Sequence, residues 1–244
     1  MAIRRYLAMT AAEIRLRSDF PPNIAWMACH FSPYCTGLSN LPKILPPDSL
    51  LILDDVTPIH GHDPERIGMQ LRERVEALNC SGILLDFQRT EYEEAAALAR
   101  YLTENLSCPV AVSDIYAREL DCPAFLPPVP PDVQLAEYLA PWNGREVWLE
   151  MALNGAIITL AEEGAAVAPL PPGEHFEGGH QDKKLHCHYR IEASEEQARF
   201  TLYRTMDDLN DQLKEAECLG VTHGIGLYQE LHDENNKGIP GKST

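Results

Sequence analysis

The chain has 244 residues, enough for one large domain or two small ones, and its 37 acidic against 20 basic side chains give a formal charge of −17. A surface of that sign repels polynucleotides and anionic membranes, so neither a nucleic acid nor a membrane is expected as a partner. The seven cysteines are odd in number, scattered and without a CxxC pair, which argues against a disulfide framework or a four-cysteine zinc site and for buried thiols in a reducing compartment.

In chain order, "MAIRRYLAMTAAEIRLR" carries basic residues but not the apolar run of a signal peptide, and no later stretch approaches the length of a membrane span. The cytoplasm is therefore the expected location. Short apolar runs follow at 4–9, 24–29, 50–53, 82–87, 110–112, 124–126, 147–151 and 224–228. Several lack period-two alternation, as strands buried on both faces do in a parallel sheet covered by helices.

Between the third and fourth runs, Asp63 is a natural N-cap and Pro64 fits the first helical position. Ile67, Leu71, Val75 and Leu78 fall along one stripe, predicting an amphipathic helix. After the fourth run, Ala95, Leu98, Leu102 and Leu106 repeat that spacing behind glutamates suited to a helix N-terminus. Alternating strands and helices are the signature of parallel crossover units. The remaining links are short or irregular, and 32–49 is rich in Pro, Gly and Ser. The predicted fold is thus α/β, a reduced (β/α)8 TIM-type barrel forming a single domain over 1–232.

From 152 to 205 the pattern changes to two strand-turn-strand readings, a small antiparallel β insertion, with 171–184 as an exposed loop between them. A helix resumes at about 206 and stops at Gly220, and 233–244 has the composition of disorder.

The fourth run carries a motif. Gly82, Ile83, Leu85, Asp86 and Phe87 of "SGILLDFQ" resemble the fourth-strand signature of family 18 glycoside hydrolases, in which Asp-Gly, an aliphatic, Asp, an aliphatic, Asp, an aromatic and the catalytic Glu occur in that order. That family is also a (β/α)8 barrel with an antiparallel insertion after its seventh strand, the place 152–205 occupies here. Ser81, Leu84 and Gln88 depart from the signature, Gln88 at the position of the proton donor, and the family's sixth-strand Met-x-Tyr-Asp is absent.

The resemblance implies a substrate-assisted reaction on a small glycan or glycoconjugate, with Asp86 orienting the sugar's acetamido group. The amide of Gln88 can hydrogen-bond a glycosidic oxygen but cannot deliver a proton, which places hydrolysis itself in question. Asp54, Asp55, Asp114 and Glu150 fall near the C-terminal ends of predicted strands, where barrel active sites lie, and are the candidate replacement acids and substrate contacts. Tyr34 and Ser39 on the long loop, Trp142 and Tyr228 are further candidate contacts. Trp26 and Trp148 fall inside apolar runs and read as core; three tryptophans in all do not favour an open polysaccharide groove.

Two His-x-His pairs, His60/His62 and His186/His188, offer a second reading, since spacing of two puts both rings on one face of a strand. On that reading the chain is a metal-dependent hydrolase using His60 and His62. No cofactor is otherwise expected; neither "FSPYCTGLSN" nor the terminal "GKST" has the pattern of a nucleotide loop. The sequence leaves the oligomeric state open.

Overall fold

A computed structural model describes residues 2–16, 20–34, 36–89, 93–162, 164–171 and 179–237. Eight parallel strands close a barrel: β1 (Arg4–Met9), β2 (Ile24–Phe31), β4 (Leu50–Asp54), β5 (Gly82–Asp86), β6 (Val110–Ser113), β7 (Ala124–Leu126), β8 (Val147–Met151) and β14 (Val221–Leu227). They are the eight apolar runs of the sequence. The ring is sealed where β1 pairs with both β14 and β2. A two-residue strand, β3 (Leu38–Ser39), lies antiparallel on β2.

Several of the apolar runs are continuous because their strands, β4, β5, β6 and β7 among them, are buried on both faces. Inward side chains, including Tyr6, Leu50, Leu84, Phe125 and Trp148, form one cluster. Alternate residues such as Leu51, Leu53, Ile83 and Leu85 belong to the larger cluster beneath the helices. Gly82 fits where the barrel floor is tightest, since a Cβ there would lie 2.8 Å from the Pro109 carbonyl oxygen.

The outer layer is uneven. Helix α2 (Pro64–Leu78) begins as its sequence dictates: the Asp63 carboxylate accepts from the Glu65 amide, Pro64 opens the first turn, and Asn79 ends the helix at φ 51°. Its buried Ile67, Leu71 and Val75 each contribute about 1.5–3 kcal/mol against exposure. Helix α3 (Glu93–Asn105) buries Ala95, Leu98, Ala99 and Leu102. By contrast α1 (Ala11–Arg15), α4 (Asp114–Ala117) and α5 (Leu135–Leu139) are one turn or little more. The barrel is reduced on those sides, and 40–49 supplies no helix before β4.

After β8 the chain leaves the barrel for a separate antiparallel sheet of β9 (Gly155–Ala161), β10 (Gly164–Pro169), β11 (His180–Asp182), β12 (Cys187–Ala193) and β13 (Gln197–Tyr203), in the order β10-β9-β13-β12-β11. β11 falls in the stretch read as a loop; of that loop, 172–178 lie outside the described residues. Helix α6 (Met206–Cys218) returns the chain to β14, and α7 (Tyr228–Lys237) follows it. The helix takes in the start of the segment read as a disordered tail, and 238–244 lie outside the described residues.

The sheet is fastened at its root by buried polar groups. Arg204, 4 % exposed, donates to the carbonyls of His186 and Val129 at 3.1 and 3.0 Å and to Oδ1 of Asn154. Asp208 in α6 accepts from the Thr205 amide and hydroxyl, from Gln181 and from His188.

Candidate active site at the barrel mouth

Three parallel strands end in polar residues at one level. Register pairs His30 with Asp54 and Asp54 with Asp86 across β2, β4 and β5, so their side chains point the same way at the C-terminal rim. Leu85 faces the helices in the outer cluster, and Asp86 faces the mouth, the register expected from the motif. His30 Nδ1 lies 2.7 Å from Asp54 Oδ2.

Opposite them, β8 contributes Glu150. A hollow descends from Asp54, Asp86 and Glu150 onto Met27, Leu84 and Ile225. A second shares Asp86, Phe125 and Glu150 and adds Gln88, Ser113 and Asp114.

The electrostatics separate these carboxyls. Burial raises Asp86, the Gln88 hydrogen bond opposes that shift, and the charges of Asp54 and Asp55 reinforce it. Burial likewise lifts Glu150 to about 7, assisted by Asp86 and Glu230. Glu150 is thus a carboxyl that keeps its proton up to near neutrality, beside one that holds a fixed hydrogen bond. Glu230 in α7 is itself raised by burial and accepts from the Leu153 amide. The Tyr138 hydroxyl donates to the Pro127 carbonyl at 2.8 Å; burial, Asp114 and Glu150 push that hydroxyl upward.

Gln88 turns its Nε2 onto Oδ1 of Asp86. Its backbone is fixed from behind: Asp55 accepts from the amides of Gln88 and Arg89 at 3.1 and 2.9 Å. Asp55 is 4 % exposed and lines neither hollow, so the expected substrate contact is instead a brace between the ends of β4 and β5. Tyr116 adds to it by donating to the Arg89 carbonyl.

Other sequence candidates are not brought to the mouth. Trp142 is 8 % exposed, in the outer core with Arg145 over its ring, because the turn at Ala140–Trp142 folds it under the helical layer. Tyr228 begins α7 and is equally buried, stacked on His232. Tyr34 is 83 % exposed and lines neither hollow. Ser39 gives its hydroxyl to the His30 carbonyl. Trp26 and Trp148 are core, as expected.

The histidine pairs also separate. His60 and His62 lie in a turn through Gly61 at φ 80°, not on a strand. His60 is exposed and meets Glu94 at 2.9 Å, whereas the His62 ring packs on Phe31 and is pushed down by burial. His186 sits in a turn at φ 49° against Glu215 and His188 on β12 against Asp208. Among the described residues no group of three or more His, Cys, Asp or Glu is arranged to hold a metal ion. The metal-hydrolase reading therefore loses the ligand geometry on which it rested.

Sequence reasoning did not find His30, Glu230 or Tyr138. His30 lies beyond the apolar run because β2 continues past a register shift between Trp26 and Cys29. Glu230 and Tyr138 reach the site from helices whose docking no local pattern encodes.

A closed parallel barrel with convergent carboxyls at its C-terminal mouth and an antiparallel excursion after the seventh strand defines a TIM-type α/β barrel. No family model matches the chain, and no curated protein matches it. Among solved structures it is similar to the spore cortex-lytic enzyme SleL of Bacillus cereus, with TM-score 0.54 and 10 % identity over 93 % of this chain and 70 % of that one. SleL of Bacillus megaterium QM B1551 gives TM-score 0.52 and 9 % identity over 100 % and 76 %. At such identity the likeness is one of fold.

Proposed function

We propose that the mouth binds a small glycan or glycoconjugate bearing an N-acetylated sugar, and that the barrel acts as a family 18-like glycoside hydrolase with Glu150 as its acid. The observation that carries this reading is the placement of Asp86 and Glu150 in one hollow, with Gln88 holding Asp86 and Asp55 holding Gln88. The fold shared with cortex-lytic enzymes supports it.

In this scheme Asp86 accepts the acetamido N–H and turns the carbonyl oxygen toward the anomeric carbon. Glu150 gives its proton to the glycosidic oxygen as the bond to the leaving group breaks and the oxazolinium ring closes. The Glu150 carboxylate then takes a proton from the water that opens the ring. Gln88 fixes the rotamer of Asp86 and transfers no proton.

The test uses aryl glycosides of N-acetylglucosamine and its short oligomers. Glu150→Gln and Asp86→Ala should each lower kcat by ~10²- to 10⁴-fold. Turnover unchanged in Glu150→Gln overturns the role of Glu150. Wild-type protein that neither cleaves nor binds these sugars overturns the glycan reading.

A further inference from the structure

The C-terminal end of β2 is held from outside the barrel. β3 pairs with it only at His30 and Phe31, and the Ser39 hydroxyl donates to the His30 carbonyl at 3.2 Å. A two-residue strand is too short to stand alone. It is fixed in turn by α2, where Gln70 Oε1 accepts from the Leu38 amide at 2.8 Å. Gly37, at φ 112°, passes so close to the Gln70 side chain that a Cβ would collide with it. A series of contacts therefore runs from the outer helix to the backbone of His30, whose ring, in register with Asp54 and Asp86, faces the mouth.

The anchored ring meets Asp54. His30 Nδ1 is 2.7 Å from Asp54 Oδ2, and the Val56 amide donates to Asp54 Oδ1 at 3.1 Å. Each oxygen thus faces a nitrogen, the setting of a carboxylate that accepts and does not donate. A neutral imidazole with its hydrogen on Nδ1 suffices for this and leaves the pair with one negative charge. Asp54 is the register partner of Asp86, one strand spacing of about 4.8 Å away, and Asp86 feels its charge. Asp54 walls the same hollow as Asp86 and Glu150, and among the described residues lining either hollow there is no lysine or arginine. A positive charge that forms there meets carboxylates and no competing cation.

We infer that Asp54 is a second working carboxylate of this site, steadying the positive charge that the sugar ring acquires, and that His30 is the positioning residue that holds it there. The inference rests on the glycan reading above. In that scheme the acetamido oxygen bonds to the anomeric carbon while the bond to the leaving group breaks and the leaving oxygen takes the Glu150 proton. The sugar gains a positive charge that neither substrate nor product carries. Asp86 is committed to the acetamido N–H and to Gln88 Nε2. Asp54 gives no proton and forms no bond; its charge, already oriented, favours the charged ring over the neutral substrate. A carboxylate free to swing would have to reorganise as that charge develops, and the anchoring of His30 back to α2 prevents this.

Turnover of the aryl glycosides and binding of a ring mimic test this together. Asp54→Asn, of unchanged shape, should lower kcat by about 10²-fold with KM unchanged, the pattern of a group that acts only in the transition state. His30→Ala should lower kcat by roughly 10-fold through misplacement of Asp54. His30→Asn, whose side-chain amide can donate from the place of Nδ1, should recover most of that loss. The thiazoline of N-acetylglucosamine, a mimic of the closed ring, should bind Asp54→Asn more weakly than wild type, while the N-acetylglucosamine disaccharide binds both alike. Turnover by wild type with kcat undiminished in Asp54→Asn overturns the inference and leaves the glycan reading standing. So does a His30→Asn protein no better than His30→Ala. If wild type binds without turnover, equal thiazoline affinity in Asp54→Asn overturns it. Wild type that neither cleaves nor binds these sugars overturns the glycan reading itself, and the role of Asp54 with it.

Discussion

Two carboxyls removed from water behave oppositely in this molecule. Asp208, at the root of the antiparallel sheet, receives four hydrogen bonds from three residues, and these hold it below its ordinary range despite burial. Glu150, at the barrel mouth, meets burial and the charges of Asp86 and Glu230 with no comparable donors among the described residues, and rises to about 7. Burial alone therefore does not decide what a carboxyl does; the donors around it do. One is ionised and structural, and the other stores a proton beside an open hollow.

Removing Asp208 should have the largest effect. Asp208→Ala strands Thr205, Gln181 and His188 and should cost about 3–5 kcal/mol in urea unfolding; a loss under about 1 kcal/mol would erase the contrast. In wild type this carboxyl's contribution is present at neutral pH and lost as pH falls below 3.8 through its depressed folded value.

Glu150 should give the opposite sign. With its carboxyl raised from 4.5 to about 7, the folded state binds more protons than the unfolded one across that window, so stability falls as pH rises through it. Glu150→Gln should therefore gain roughly 3 kcal/mol at pH 8 and little at pH 4. A pH-independent difference would show that Glu150 takes up its proton over the same pH range in the folded and unfolded states.

Asp55→Ala should be smaller, about 2 kcal/mol, because it frees two backbone amides at a partly solvated loop. Its sharper readout is loss of order at 88–89 in amide exchange. His60→Ala, which breaks an ion pair open to water, should not move the unfolding midpoint measurably.

Much of this fold was legible in the sequence because a strand buried on both faces must be a continuous apolar run, and β4, β5 and β6 are just that. The direction of Asp86 followed from alternation. The same rule separates Asp54, facing the mouth, from its neighbour Asp55, whose carboxylate braces the next loop. What sequence could not supply was the partner of each carboxyl. Glu150 stood among several acids until burial and the approach of α7 distinguished it. The histidine pairs misled because spacing of two means one face only on a strand, and both pairs begin in turns. Trp142 misled because a loop tryptophan next to Pro141 can fold inward as readily as outward.

Arg204 has a consequence for how the molecule melts. Its guanidinium holds carbonyls from the link after β7 and from the turn before β12 at the same time, so neither can loosen without leaving buried charge unsatisfied in the other. A sheet with one face open to water has too little core of its own to persist once that clasp is lost. Barrel and excursion should accordingly share a single calorimetric endotherm, and heating should not release the excursion first.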